Sequence, residues 1–315
     1  MYDLSLMLRE LLLAISHSKT TRRFITGFPV ARAVSSRFIA GLTLADEIKA
    51  VRALNASGLT ASADYLGENV ATEIDAARAV DDYLALLDEI AASGVRSHVS
   101  LKLTQLGLDL GQEVCFANLR RIAERAQSIG AFVRVDMEGT EYTDRTLAVV
   151  RAAKDAGGDN VGTVIQAYLY RSAADIEALC ADGIRVRLCK GAYKEPPDKA
   201  FPAKKDVDAN YVQLAHALLA AAKTNPALYP AIATHDEKMI AAAKQFAASN
   251  EVPRSSFEFQ MLHGIRRELQ TALAVEGYNV RVYVPYGTEW YPYVMRRLAE
   301  RPANLWFFVS NWMRR

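Results

Sequence analysis

From residue 59 onward, short apolar runs alternate with longer stretches whose apolar residues recur every three or four positions. The runs are LTASADYLG (59–67), HVSLKLT (98–104), FVRVDMEG (132–139), VGTVIQAYLY (161–170), RVRLCKGAY (185–193), AIATHD (231–236), FEFQMLHG (257–264) and VRVYVPYG (280–287). Most are rich in β-branched or aromatic residues and have strand length. Between them, FANLRRIAERAQSIG, TLAVVRAAKDAG, ADIEALCADG, YVQLAHALLAAAK, KMIAAAKQFAAS and IRRELQTALAVEG carry the period of amphipathic helices. A last helix is predicted around 289–300.

This βα alternation implies a mostly parallel sheet with helices outside. Eight units close naturally into a barrel. The predicted fold is α/β, a distorted (β/α)8 TIM-type barrel with extra N-terminal helices. The competing architecture is an open doubly wound sheet. It is disfavoured because no GxGxxG follows the first strand and no Gly-rich phosphate loop occurs.

Residues 1–57 read as helices packing on or beside the barrel. Leu4, Met7, Leu8, Leu11 and Leu12 share one face, and TLADEIKAVRALNASG is the clearest helix. Thr43 is its expected cap, with Glu47 in the first turn and Gly58 as the stop. No linker or low-complexity segment divides the chain, so one catalytic barrel domain over 1–315 is the economical reading. KEPPDKAFPAKKD (194–206), with paired prolines and many charges, predicts a mobile surface loop after the fifth strand.

Composition narrows the function. A net charge of +2 and the lack of a basic stripe argue against nucleic acid. Three cysteines without CxxC spacing read as reduced, buried thiols of a cytoplasmic protein. The first residues carry Asp3, Arg9 and Glu10 and lack a basic start and a cleavage site, so no signal peptide is expected. No apolar run reaches the length of a membrane span.

Polar residues collect where the strands should end, which is where such barrels place their sites. They are Asp64, Glu68, Lys102, Asp136, Glu138, Gln166, Arg187, Lys190, Tyr193, Thr234, His235, Asp236, Glu258, Gln260, His263, Tyr283 and Tyr286. Lys102, Arg187, Lys190 and the pair Arg296–Arg297 form a cationic wall suited to a carboxylate or phosphates. A metal is not expected, because the histidines stand apart; His98 and His216 read as structural. No GxSxG occurs. The residues alone leave open an anion-binding barrel enzyme, a lyase with Lys102 or Lys190 as a Schiff base, and a non-catalytic binding barrel.

The strand-end motifs resemble the proline dehydrogenase family, both its small bacterial enzymes and the dehydrogenase part of bifunctional proline utilisation proteins. The matching stretches are DYLGE (64–68), LKLTQLG (101–107), VDMEG (135–139), IQAYLYR (165–171), RLCKGAYKE (187–195), ATHD (233–236), FEFQMLHG (257–264) and VYVPYGTEWYPYVMRRLAERPAN (282–304), in the family's order. The resemblance implies non-covalent FAD, oxidation of L-proline to 1-pyrroline-5-carboxylate, and transfer of electrons to a membrane quinone. It also implies a 1-pyrroline-5-carboxylate dehydrogenase that takes the product.

Carried onto this sequence, it places Arg296, Arg297 and Lys102 on the substrate carboxylate, and Tyr283, Tyr293 and Leu262 around the proline ring. Met137, Gln166, Arg187, Lys190, Gly191, Ala192, Tyr193, Thr234 and His235 fall at the flavin. Glu68 and Arg296 form a lid ion pair. Arg187 and Asp136 stand at the reacting centre, Asp136 as an organiser of Lys102 rather than a base. Glu300 is a candidate to orient an arginine. Without a spanning helix, the protein is expected to touch the inner face of the membrane peripherally, through residues 1–20.

Overall fold

In the computed structural model, which describes residues 36–300, all eight apolar runs contain a strand. They are Thr60–Tyr65 (β1), Ser97–Leu101 (β2), Val133–Val135 (β3), Val161–Gln166 (β4), Arg185–Cys189 (β5), Ala231–Ala233 (β6), Glu258–Leu262 (β7) and Asn279–Tyr286 (β8). Each pairs in parallel with its sequence neighbour, and β1 closes on β8 through Asp64↔Pro285 and Tyr65↔Tyr286. The result is a closed barrel, as the alternation predicted.

Helices Leu44–Ala56 (α1), Glu73–Ser93 (α2), Gln112–Ser128 (α3), Thr140–Asp155 (α4), Ser172–Ala181 (α5), Lys204–Thr224 (α6), Glu237–Ser249 (α7), Arg267–Val275 (α8) and Trp290–Glu300 (α9) surround it. Every residue of β4 is buried, because a strand in such a barrel faces helices on one side and the interior on the other. Tyr83, Leu86 and Leu87 of α2 are fully buried in the same apolar cluster as Val99 and Leu101 of β2. Each large apolar side chain so buried contributes roughly 1.5–3 kcal/mol, which makes Leu87→Asp a change expected to unseat α2.

A smaller cluster positions the last helix. Phe38, Ile39 and Leu66 pack with Trp290, Tyr291, Val294 and Leu298. Ala40 N donates to Pro285 O at 2.8 Å and Gly287 N to Gly41 O at 3.0 Å. The chain also crosses itself at Gly264, where φ is 72° and a Cβ would strike the Arg37 carbonyl. These contacts fix α9 beside the carboxyl end of β8.

One local expectation holds and two need correction. Thr43 caps α1 in a capping box with Asp46, and Glu47 lies in the first turn, where it is fully buried. Gly58, at φ 80°, follows the C-cap Ser57. The segment after β5 is tied down rather than loose. Tyr170 N donates to Lys199 O and Phe201 N to Tyr168 O, at 3.0 and 2.8 Å, and α6 already begins at Lys204. Glu258, in turn, is the first residue of β7, not at its carboxyl end. There it accepts Arg281 Nε on both oxygens, at 2.9 and 3.0 Å, and belongs to a plug at the opposite mouth of the barrel. Arg134 completes that plug by donating to the Thr163 and Arg185 carbonyls. Residues 1–35 and 301–315, including the proposed membrane-contacting residues 1–20, and the Glu300 side chain lie outside what the structure describes.

Candidate active site

Hydrogen bonds between strands that are not neighbours must cross the interior, and they identify the inward positions. Arg187 of β5 donates to Ser100 Oγ of β2 at 2.8 Å, and Ser100 meets Ser62 of β1 at 2.9 Å. Both serines are buried, and neither was picked out by the sequence. Their signal was weak: a serine in an apolar run reads as a small filler.

Asp136, just past β3, is the hub above them. Its Oδ1 accepts Arg187 Nη1 at 2.8 Å and its Oδ2 accepts the Tyr283 hydroxyl at 2.8 Å. The Asp136 amide is itself held by Leu101 O at 2.8 Å. Lys102 Nζ lies 3.9 Å from Asp136 and 3.6 Å from Asp64, which belongs to β1 and is fully buried. Burial works against the Lys102 charge, yet Asp64, Asp136 and Glu68 outweigh it and hold the ammonium above the ordinary lysine value. Burial pushes the Asp64 carboxyl up, with Lys102 opposing. Tyr283 is driven well above the usual phenol value, first by burial and then by Asp136 and Asp64. It therefore stays a donor, and the Arg187 guanidinium lies 5.3 Å over its ring.

Lys102, Asp136, Arg187 and Tyr283 line a cavity of about 500 Å³, within the roughly 300–1,000 Å³ of small-molecule and cofactor pockets. Arg296 and Arg297 of α9, with Tyr293, lie at this cavity together with Lys102, Tyr283 and Leu262. Arg296 makes a two-pronged ion pair with Glu68 at 2.6 and 3.3 Å. Burial opposes its charge, but Glu68 and Tyr193 hold it above the usual arginine value. Tyr286 is not at the cavity; it is buried in the barrel wall, 5.3 Å from the Tyr65 ring.

Met137, Gln166, Lys190, Gly191, Ala192, Tyr193, Thr234 and His235 line the same cavity. Gln166 Nε2 donates to Met137 O at 3.4 Å, while its Oε1 has no hydrogen-bond partner among the described residues. Arg187 Nε is likewise unpartnered there. Gly191 sits at φ 114° with its backbone against the Tyr168 ring, where any Cβ would collide. His235 Nε2 accepts the Leu262 amide at 2.9 Å, which leaves the proton of a neutral ring on Nδ1. Lys190 is held by Asp208 at 2.5 Å and Asp236 at 2.8 Å. Burial disfavours its charge, but these carboxylates raise it above the ordinary lysine value. Val164, Cys189, Lys204, Ala233 and Met261 also line the cavity and were not singled out as site residues. Burial pushes the Cys189 thiol up to about 12, so it behaves as an apolar lining group.

Other sequence candidates are accounted for elsewhere. His98 Nδ1 accepts the Phe132 amide at 3.2 Å and burial lowers the ring to about 3; His216 stacks on Phe246 at 4.3 Å. Among the described residues, no group of three His, Cys, Asp or Glu side chains is placed to hold a metal. None of the described helices is long and apolar enough to cross a membrane.

The chain is similar to known proteins along most of its length. A family model described as proline dehydrogenase matches residues 47–309. The chain is 43% identical over 305 residues to Proline dehydrogenase 1 of Bacillus subtilis, covering 97% of this chain and 99% of that one. It is 40% identical over 287 residues to the proline dehydrogenase of Deinococcus radiodurans, covering 89% and 90%. Among solved structures, proline utilization A from Bdellovibrio bacteriovorus, inactivated by N-propargylglycine, superposes with a TM-score of 0.81 at 24% identity, a likeness of fold. The match takes in 93% of this chain and 36% of that longer one. With the family model spanning most of the barrel and close relatives aligned end to end, the chain belongs to the proline dehydrogenase family.

Proposed function

We propose that the cavity oxidises L-proline to 1-pyrroline-5-carboxylate with a non-covalently held FAD, within a single catalytic barrel domain. The observation that carries this reading is that one cavity is lined by two kinds of group. Arg296, Arg297 and Lys102 line it together with the Gly191 turn and Gln166. Purified protein should be yellow and release FAD on denaturation; a colourless protein that binds no added FAD would contradict the reading.

The reaction removes a hydride from C5 of proline and a proton from its nitrogen. No side chain accepts hydride, so a redox cofactor supplies that step. The residues fit a flavin. A backbone turn without a Cβ allows close approach, and the unpartnered Gln166 Oε1 and Arg187 Nε offer an acceptor and a donor. Met137, Gln166, Arg187, Lys190, Gly191, Ala192, Tyr193, Thr234 and His235 would hold it. Lys190 would contribute chiefly its backbone, since its ammonium is engaged by two carboxylates.

Proline's carboxylate binds Arg296 and Arg297 with Lys102 beside them, and its ring packs between Tyr283, Tyr293 and Leu262. Clamping one end of a small rigid ring leaves little rotation and converts binding into orientation. Arg187, fixed by Asp136 and Ser100, would hold a positive charge beside the cofactor. Asp136 acts as organiser: each of its oxygens already accepts a short bond, from Arg187 and from Tyr283. The Glu68–Arg296 pair closes over the bound amino acid. Electrons pass to a membrane quinone and the product to a 1-pyrroline-5-carboxylate dehydrogenase, with the protein at the cytoplasmic face of the membrane. A Schiff-base lyase is disfavoured, because a nucleophilic lysine needs a depressed pKa and both Lys102 and Lys190 are raised.

A further inference from the structure

Glu138 is the fourth residue of VDMEG (135–139) but does not line the cavity. It is buried, and its carboxylate is taken up by Thr104 in the loop after β2. Thr104 N donates to Oε1 at 3.3 Å and Thr104 Oγ1 to Oε2 at 2.8 Å. Thr104 in turn holds the loop after β1. Asn69 N donates to its Oγ1 at 3.4 Å and Val70 N to its carbonyl at 3.3 Å. Asn69 sits at φ 52°, a left-handed conformation that a non-glycine residue adopts only when its surroundings hold it. The neighbouring Gln105 packs under Gly67 of the same loop and donates to Tyr65 O at 3.2 Å. Glu68, between these two anchors, reaches Arg296.

We propose that Glu138 is a positioning residue for the cavity: by holding Thr104 it fixes the loop after β1 so that Glu68 stands against Arg296. The inference rests on reading Arg296 as part of the carboxylate clamp. The contacts run without a gap from β3 through the loops after β2 and β1 to α9, so the strength of the first link governs the last.

That first link changes near neutral pH. Burial pushes the Glu138 carboxyl up to about 7, against Lys102 and the bonds from Thr104. The groups that face it are Lys102 from the end of β2, Glu68 from the loop after β1, Tyr193 from the turn after β5, Cys115 from α3 and Tyr142 from α4. Lys102 is held charged, and Tyr193, Cys115 and Tyr142 are all pushed up by burial, so these four keep one protonation state between pH 6 and 8. Ionised Glu138 accepts both bonds from Thr104. Protonated, one of its oxygens carries a hydrogen and the hydroxyl of Thr104 loses its charged acceptor. The lid is then held firmly at pH 8 and loosened at pH 6.

The test is binding of a five-membered ring carboxylate in which oxygen replaces the amine, so that no group on the ligand titrates in this range. The flavin-loaded protein is titrated with it at pH 6 and pH 8 and followed by flavin absorbance. Wild type should bind roughly three- to tenfold more weakly at pH 6, the span that weakening one hydrogen bond allows. Glu138→Gln and Thr104→Val should lose this pH dependence and bind at both pH values as wild type does at pH 6. Thr104→Ser, which keeps the hydroxyl, should restore it. Equal pH dependence in wild type and Glu138→Gln would overturn the proposal; if that variant does not fold, the same comparison with Thr104→Val decides. Absence of binding at either pH would instead overturn the clamp reading.

Discussion

Replacing Arg296 with methionine keeps much of the apolar stem of the side chain and removes the guanidinium, with its charge and its donors. Two interactions go with it. One is the pair with Glu68, whose 2.6 and 3.3 Å bonds join side chains 15% and 24% exposed. The other is one arm of the clamp on the proline carboxylate. Truncating one member of a desolvated, hydrogen-bonded charge pair costs about 2–4 kcal/mol. At about 1.4 kcal/mol per factor of ten, proline affinity should fall roughly 30- to 700-fold. The assay is equilibrium titration with proline under anaerobic conditions, set against flavin content per protein. Flavin content should stay within about twofold of wild type, because the proposed flavin wall is built from β3 to β6 and the turns that follow them. Glu68→Gln separates the two contributions: it removes the lid pair and keeps the clamp, so its loss should be smaller. Wild-type proline affinity in Arg296→Met, with normal flavin content, would refute the clamp.

Glu47 is fully buried on α1, and neither carboxylate oxygen has a hydrogen-bond partner among the described residues. Glu47→Met should therefore stabilise the protein by about 1–3 kcal/mol, read as a higher midpoint in urea. Burial, with Asp64 nearby, raises the folded carboxyl well above its usual value. The folded state then binds the proton more tightly, and the wild type loses stability as pH rises above the unfolded carboxylate value near 4.5. The advantage of Glu47→Met should widen from pH 5 to pH 8; an advantage that shrinks would contradict this. Asp136→Asn should weaken proline binding and flavin loading together, because it loosens Arg187, Tyr283 and Lys102 at once. A variant altered only in its pH–rate profile would make Asp136 a base. Gly191→Ala should lower the flavin-to-protein ratio, since a Cβ there meets the Tyr168 ring; an unchanged ratio would remove the cradle.

The barrel was legible because each strand interior is apolar enough to stand out between helices of regular period, as in VGTVIQ of β4 flanked by α4 and α5. The cavity was legible where charge interrupts such a run, as at Lys102, Asp136 and Arg187. The same signal misled at Glu258. A charge in a strand shows that a polar site exists inside a barrel but not at which mouth, and only the register with β8 places Glu258 against Arg281 at the opposite end. Arg134 was hidden for a related reason: between Val133 and Val135 it reads as the outward member of an alternating strand, although it crosses the interior to Arg185 O. Ser62 and Ser100 carry no charge and no motif, and their role depends on the β1–β2 register that brings them side by side. The loop after β5 looked loose from its prolines, yet its anchors are main-chain bonds to Tyr168 and Tyr170, invisible to composition.

The most direct measurement is the visible spectrum of the purified, flavin-loaded protein as L-proline is added without oxygen. The account predicts that the flavin bands bleach as proline is converted to 1-pyrroline-5-carboxylate, and that Arg296→Met needs far more proline to reach the same bleaching. A bound flavin that stays fully oxidised in excess proline would contradict it.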